Sequence, residues 1–165
     1  MKAAAFDYVK SATLPEALDA LRAGGVGAKP MSGSQSLGPM LNLRLARPAQ
    51  VVDVSRLTEM RGVSEAAGGI RVGAAVTHAE VEDGRHALLR HAYLRYVASG
   101  IAYRAVRNRG TLGGSLAHAD PAADWPLALA ALDARLELAR AGASRVVRVG
   151  EFMLGAFTTR LEEGE

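Results

Sequence analysis

Short apolar stretches alternate with glycine- and proline-rich breaks along this chain, and that punctuation predicts its elements. Residues 3–8 fit a short strand, and Leu14, Ala17, Leu18 and Leu21 then recur at helical spacing. Thr13 is placed to cap that helix and Glu16 to complete a capping box. Pro15 is tolerated in the first turn, and Gly24 and Gly25 stop the helix. Leu41, Leu43 and Leu45 alternate before Arg47-Pro48 turns the chain, and Val51, Val52 and Val54 read as a buried strand. Gly68-Gly69 is a hairpin signal ahead of a strand over 70–73. Thr77 and Glu80 repeat the capping-box spacing, with His78 in that first turn as a surface or capping residue. Residues 87–106 are helical in character with a break at Ser99-Gly100; Leu88, Leu89, Ala92, Tyr96 and Val97 form the apolar face. Asp124 is the expected N-cap of a helix running through Trp125 to Leu132, with Pro126 in its first turn. Strands are expected over 135–139 and 145–149, joined through Ala141-Gly142-Ala143, and a helical turn over 151–157. The chain has no internal repeat and no low-complexity linker.

Two stretches between these elements are dense in small residues: 31–39 (MSGSQSLGP) and 109–124 (RGTLGGSLAHADPAAD). Such segments let backbone N–H groups approach an anion without interference from a Cβ. Two of them suggest the two sides of a diphosphate cradle, with Arg109 adding positive charge and Asp124 ready to accept from polyol hydroxyls. Taken alone, the Ser/Gly stretch at 32–36 is equally consistent with an ordinary connection.

Composition narrows the chemistry. The chain has 165 residues, 49% hydrophobic and only 5% aromatic, so Ala, Leu and Val carry the packing. The net charge of +3 comes from scattered Arg, with Arg104, Arg107 and Arg109 as the local cluster. A nucleic-acid binder would show a broader basic face or stacking aromatics, so phosphates of a cofactor or a partner subunit are the better match for that cluster. The absence of cysteine excludes disulfides, Cys-based zinc sites and all-Cys iron–sulfur clusters. No apolar run approaches the roughly 20 residues that span a bilayer. The opening residues lack the long apolar run of a signal peptide, so a cytoplasmic protein is the expectation.

Several motifs are missing. There is no G-x-G-x-x-G after a strand and no P-loop, which argues against a Rossmann domain. His118, Asp120 and Asp124 suit a metal chemically, but Pro121 makes the segment a turn and no second His lies nearby, so no metal site is expected. Ser115 and His118 are too close in sequence to form a triad by themselves, and no nucleophile elbow is present.

The stretch 32–45 (SGSQSLGPMLNLRL) followed by 111–124 (TLGGSLAHADPAAD) resembles the FAD-binding medium subunit of the xanthine dehydrogenase and aerobic carbon monoxide dehydrogenase family. Phe6, Tyr8, the helix after Thr13, Val72-Gly73-Ala74 and Thr77-His78-Ala79-Glu80 extend the resemblance over essentially the whole chain. It implies an α+β fold of the vanillyl-alcohol oxidase and p-cresol methylhydroxylase type in two lobes. These would be a small α/β lobe over 1–55 and a larger α+β lobe over 56–165, with FAD between them and the family's C-terminal domain absent. Lys29 and Ser32, Gly33, Ser34, Gln35, Ser36 and Leu37 would line the cofactor from the first lobe. Thr111, Leu112, Gly113, Gly114 and Ser115 would bind it from the second, with Asp124 on the ribityl chain, Asp120 close by and Ile101 near the flavin. The implied role is electron transfer through FAD to a terminal acceptor. A large molybdopterin subunit would oxidise the substrate, and a small subunit with 2Fe–2S clusters would relay the electrons. On that reading no side chain of this chain is an acid, base, nucleophile or metal ligand; the protein binds, orients and tunes the flavin.

Two departures from the family pattern bear on this. Ser34 stands where the family has a second adjacent glycine, and it fits if its φ is negative. The chain also stops at Glu165, before the family's further strand and C-terminal domain, so FAD binding is expected to be weakened or to depend on a partner, and self-association is favoured. Two other readings stay open: a structural or interaction module of the same fold that no longer holds FAD, and a binder of another nucleotide or phosphate using the same two stretches.

Overall fold

A computed structural model describes residues 2–165. The first half is built on a three-stranded parallel sheet in the order β1 (Asp7–Lys10), β3 (Gln50–Asp53), β2 (Ala28–Met31). Parallel neighbours need crossovers; helix α1 (Leu14–Gly24) supplies the first and α2 (Leu37–Asn42) lies in the second. β1 begins at Asp7, not at residue 3, because its partner β3 begins at Gln50 and Asp7 is paired with it. Val51 and Val52 of the central strand are fully buried, and Val52 packs with Ala17, Leu21, Ala28, Val54 and Leu57 as one core.

The caps form with one shift. Thr13 Oγ accepts from the Glu16 N–H at 3.3 Å, while the Glu16 carboxylate accepts from Ala12 rather than from Thr13. Of the alternating leucines, Leu41 is buried on α2, and Leu43 and Leu45 are exposed past its end. Gly38-Pro39 sits in the first turn of α2, where a fixed φ and a missing N–H cost little.

In the second half, β4 (Val63–Ala66) and β5 (Gly69–Val72) form the expected hairpin. Next come α3 (His78–Glu82), α4 (Ala92–Gly100), α5 (Arg104–Arg107), α6 (Leu112–His118) and α7 (Asp124–Ala131). The predicted helical run over 87–106 is thus a 3-10 turn, α4 and α5, broken at 101–103 where Ala102 takes a left-handed φ of 42°. Val76, Val81, Leu89, Ala98, Leu112, Trp125 and Ala128 make a second core. β6 (Arg135–Arg140) pairs antiparallel with β7 (Ala143–Arg148) across a left-handed Gly142. α8 (Val149–Phe152) comes earlier than the predicted helical turn, most of which is the hairpin β8 (Met153–Gly155) and β9 (Thr158–Thr159). Leu116, Leu138, Val149 and Phe152 form a third core beneath this hairpin layer. The architecture is α+β, and no helix among the described residues is long and apolar enough to cross a membrane.

Candidate cofactor site

The residues 32–37 leave β2 and lead into α2. Sheet pairing ends at Met31, whose carbonyl accepts from the Val54 N–H at 2.9 Å, so the chain beyond it is released from the ladder. The N–H groups of Gly33, Ser34, Gln35, Ser36 and Leu37 find no acceptor among the described residues. Ser32 Oγ is buried and has no hydrogen-bond partner. Ser34 has φ 59°, so the condition of a negative φ does not hold: the serine occupies the left-handed conformation that a glycine would take without strain. A left-handed residue within a run of unengaged N–H groups makes a concave, anion-attracting backbone. Gln35 Nε2 donates to the Gly33 carbonyl at 2.9 Å and braces the loop from within.

The second stretch is a helix start rather than a loop. Thr111 is the N-cap of α6, and its Oγ accepts from the Gly114 N–H at 3.1 Å. Thr111 also bridges Thr77. The Leu112 N–H donates to Val76 at 3.0 Å, the Gly113 N–H to Ala74 at 2.9 Å and the Ser115 N–H to Thr111 at 3.0 Å. The first-turn amides from 112 to 115 are therefore engaged inside the protein. The expected backbone approach of Gly113 and Gly114 to a diphosphate differs from what is found. A Cβ on Gly113 would meet Ala74 Cβ at 2.5 Å, so packing on the 74–76 segment demands this glycine. Thr111 is 4% exposed with its Oγ taken up by the cap, so what this side keeps is the half-buried Ser115 hydroxyl in the first turn of a short helix.

The two stretches meet at Gly33. A Cβ there would overlap the Arg109 carbonyl and lie 2.8 Å from Gly110 Cα, so the loop and the lead-in to α6 are in backbone contact. Arg109 is exposed and has no ion pair among the described residues. Behind this contact lies α3. The His78 N–H donates to the Gly110 carbonyl at 2.9 Å, and His78 Nδ1 accepts from Trp125 Nε1–H at 3.0 Å. His78 is thus not a surface or capping side chain; it is 6% exposed, held by a partner 47 residues away that no local pattern reveals. Burial, with the nearby Arg107 charge, pushes its pKa down to about 4, so it is neutral. The predicted capping box of α3 is complete: Thr77 Oγ accepts from the Glu80 N–H, and the Glu80 carboxylate accepts from the Thr77 N–H at 2.8 Å and from Arg61 at 2.6 Å. Burial alone would raise the Glu80 pKa; the Thr77 hydrogen bonds, with the Arg61 and His86 charges, more than offset it and hold it below the usual range.

The remaining candidates flank this junction. Lys29 is exposed on the edge strand β2. Asp120 Oδ1 accepts from the Ala122 N–H at 2.9 Å, closing the turn between α6 and α7. Asp124 is the first residue of α7 and not its N-cap; Ala123 holds that position, and the carboxylate stands in the first turn, where the helix dipole favours it. Asp124 borders a shallow cavity of about 280 Å³ with Tyr93, Tyr96, Gly100 and Leu127. Ile101 is half-buried at the end of α4. No hydrogen bond or ion pair among the described residues ties Lys29, Asp120 or Asp124 to the Gly33 junction.

The chain matches the model for the FAD binding domain in molybdopterin dehydrogenase over residues 4–165. It is 37% identical to 6-hydroxypseudooxynicotine dehydrogenase complex subunit alpha of Paenarthrobacter nicotinovorans, over 100% of this chain and 56% of that protein. It is 35% identical to the carbon monoxide dehydrogenase medium chain of Hydrogenophaga pseudoflava, over 97% of this chain and 56% of that protein. The crystal structure of quinoline 2-oxidoreductase from Pseudomonas putida 86 superposes with a TM-score of 0.93 at 40% identity, covering 99% of this chain and 57% of that one. The chain thus spans about half the length of the curated relatives it matches. It belongs to the family of FAD-binding domains of molybdopterin dehydrogenases.

Proposed function

We propose that this chain holds FAD at the junction of its two stretches and serves as the electron-transfer subunit of a heteromeric dehydrogenase. The observation that carries the reading is the loop 32–37: unengaged N–H groups from Gly33 to Leu37, a left-handed Ser34 and a buried, unpartnered Ser32 Oγ. A diphosphate is the ligand chemistry that such a donor set fits. In this reading Ser115 offers a hydroxyl from the facing side, the buried Thr111 cap holds the start of α6 in place, and Arg109 adds a compensating charge. In this reading residues 1–55 and 56–165 act as two lobes with the cofactor between them; Lys29 and Ile101 border it, and Asp120 and Asp124 receive its polyol end. FAD supplies the redox chemistry when bound. The protein's own groups bind it, orient it and exclude water, and none needs to act as acid or base. Electrons would arrive from the 2Fe–2S clusters of a small partner subunit, fed by a molybdopterin-bearing large subunit, and leave to a terminal acceptor.

The test is reconstitution of the apo chain with FAD, FMN and riboflavin, followed by flavin fluorescence and visible absorption. The donor loop predicts that FAD binds at least about tenfold more tightly than FMN, because only FAD brings the diphosphate. Equal affinity for the three ligands would overturn the cradle. No binding of any of them would favour the reading of a structural module that has kept the fold and lost the site.

A further inference from the structure

Arg107 occupies a position that none of the cradle residues explains. It lies on the four-residue helix α5, and its side chain is only 12% exposed although it carries a charge. Its guanidinium forms a fork on Glu82 of α3, with Nε 2.8 Å from Oε2 and Nη2 3.0 Å from Oε1. The remaining nitrogen, Nη1, donates to two successive carbonyls, Ile101 and Ala102, each at 3.0 Å. Two consecutive carbonyls converge on one nitrogen because Ala102 is left-handed, with φ 42°. A residue with a Cβ holds that conformation at a cost, so the carbonyl contacts hold it against relaxation.

This fork fixes α5 at both ends. At its start it pins the 101–102 turn. At its end the chain passes directly to Arg109 and Gly110, the residues that abut Gly33, with the Gly110 N–H donating to the Val106 carbonyl at 2.7 Å. Glu82 belongs to the same helix as His78, whose N–H holds the Gly110 carbonyl. One end of α3 therefore grips the wall directly, and the other grips it through Arg107. Arg104 is the natural contrast. It bonds Glu82 and Asp83 at 2.8 and 2.7 Å but touches neither carbonyl of the turn.

We infer that Arg107, held by Glu82, is the positioning residue that keeps the Arg109–Gly110 wall seated against the Gly33 loop, and so sets how well the cradle holds its cofactor. The inference rests on the reading of that junction as an FAD site. An Arg fork is needed for it, since Nε and Nη2 meet the carboxylate while Nη1 reaches the two carbonyls on another edge, a spread that a compact lysine ammonium does not span.

The experiment measures FAD affinity by fluorescence titration of the full chain for wild type, R107Q, R107K, E82Q, R104Q and the double variant R107Q/A102G, with a melting curve for each. Amide hydrogen exchange of the apo chains reads the wall itself. R107Q and R107K are expected to weaken FAD binding about tenfold or more and E82Q by less, while R104Q stays within about twofold of wild type. A102G should restore part of the loss in the double variant, because glycine takes the left-handed turn without the clamp. Faster exchange at His78 and Leu112, with β1–β3 unchanged, should accompany R107Q. Rescue of affinity by R107K, equal losses in R104Q and R107Q, or unchanged affinity in R107Q would overturn the positioning role while leaving the FAD site standing. A wild-type chain that binds no FAD would remove the site and this inference with it. If R107Q does not fold, R107K and E82Q still decide the question.

Discussion

The two sides of the cradle are opposites. The loop 32–37 has backbone donors with no acceptor, a buried hydroxyl without a partner and a strained serine. The facing segment 110–115 has its first-turn amides engaged, its threonine cap formed and a buried histidine behind it. Both read as small-residue anion loops in sequence, yet only the first keeps its hydrogen-bonding capacity unspent. The lesson is that glycine serves two ends: at 33 and 113 it admits another part of the protein, and the donors that suit an anion come from the neighbouring, mostly non-glycine positions. An open side and a closed side in backbone contact make a sound binding device, since the closed wall fixes where the open loop sits.

The harshest way to break that arrangement is Gly33→Ala. The new Cβ would overlap the Arg109 carbonyl, and both groups are backbone, so one chain must shift. A cost of about 3 kcal/mol is expected, at the upper end for overpacking, with FAD affinity down about a hundredfold. Gly73→Ala is the comparison, because its Cβ would overlap the Met60 backbone and strain the 74–76 segment behind Gly113 without touching the 32–37 loop. Urea unfolding should show similar losses of stability for the two variants, with the larger loss of flavin affinity in Gly33→Ala. Equal effects on affinity would mean that the junction at Gly33 has no special part in binding.

The closed wall should also be sensitive to acid. His78 has a folded-state pKa of about 4, set by burial first and the Arg107 charge second, against about 6.5 in an unfolded chain. The unfolded state takes up the proton as pH falls through 6.5, while the folded state refuses it until about 4. Stability is therefore full above pH 6.5 and declines between 6.5 and 4, by on the order of 2–3 kcal/mol. His78→Asn leaves an acceptor for Trp125 Nε1 and removes the titration, so the difference between variant and wild type should narrow steadily over that window. A wild-type curve as flat as that of His78→Asn would show that the imidazole is not held neutral.

Local chemistry made the caps legible. Thr13, Thr77 and Glu80 declare themselves within four residues, and the hairpin at Gly68-Gly69 does so within two. The stretches 32–37 and 111–115 were also legible as places, because two small-residue stretches occur in one chain and together match a family pattern, although 32–36 alone reads equally as an ordinary connection. Their division of labour was not. Whether the Gly113 amide is engaged depends on Ala74, and whether His78 is buried depends on Trp125, both far along the chain. Asp124 missed the N-cap by one residue, since Ala123 can take the extended cap conformation without offering a side chain. The Arg107 fork was hidden for the same reason as His78: Glu82 lies 25 residues upstream, and no helical spacing connects them.

The gentlest test acts on the open side alone. Ser34 holds a left-handed φ of 59° and its Oγ lies over Gly38, where a Cβ would come within 3.0 Å of it. Ser34→Gly removes a strain of about 1 kcal/mol but loosens the unfolded chain by about half as much, so a net gain of roughly 0.5 kcal/mol, or about 1–2 °C in Tm, is expected. FAD affinity should change by less than about threefold, because the donors are backbone N–H groups and glycine keeps the same φ. Ser34→Val should do the reverse, since a β-branched side chain resists φ > 0 and would pull the loop away from the conformation that lines up its amides. If Ser34→Gly lowers Tm, the serine side chain holds the loop through its contact over α2, and the openness of this side is then a property of that side chain rather than of the backbone.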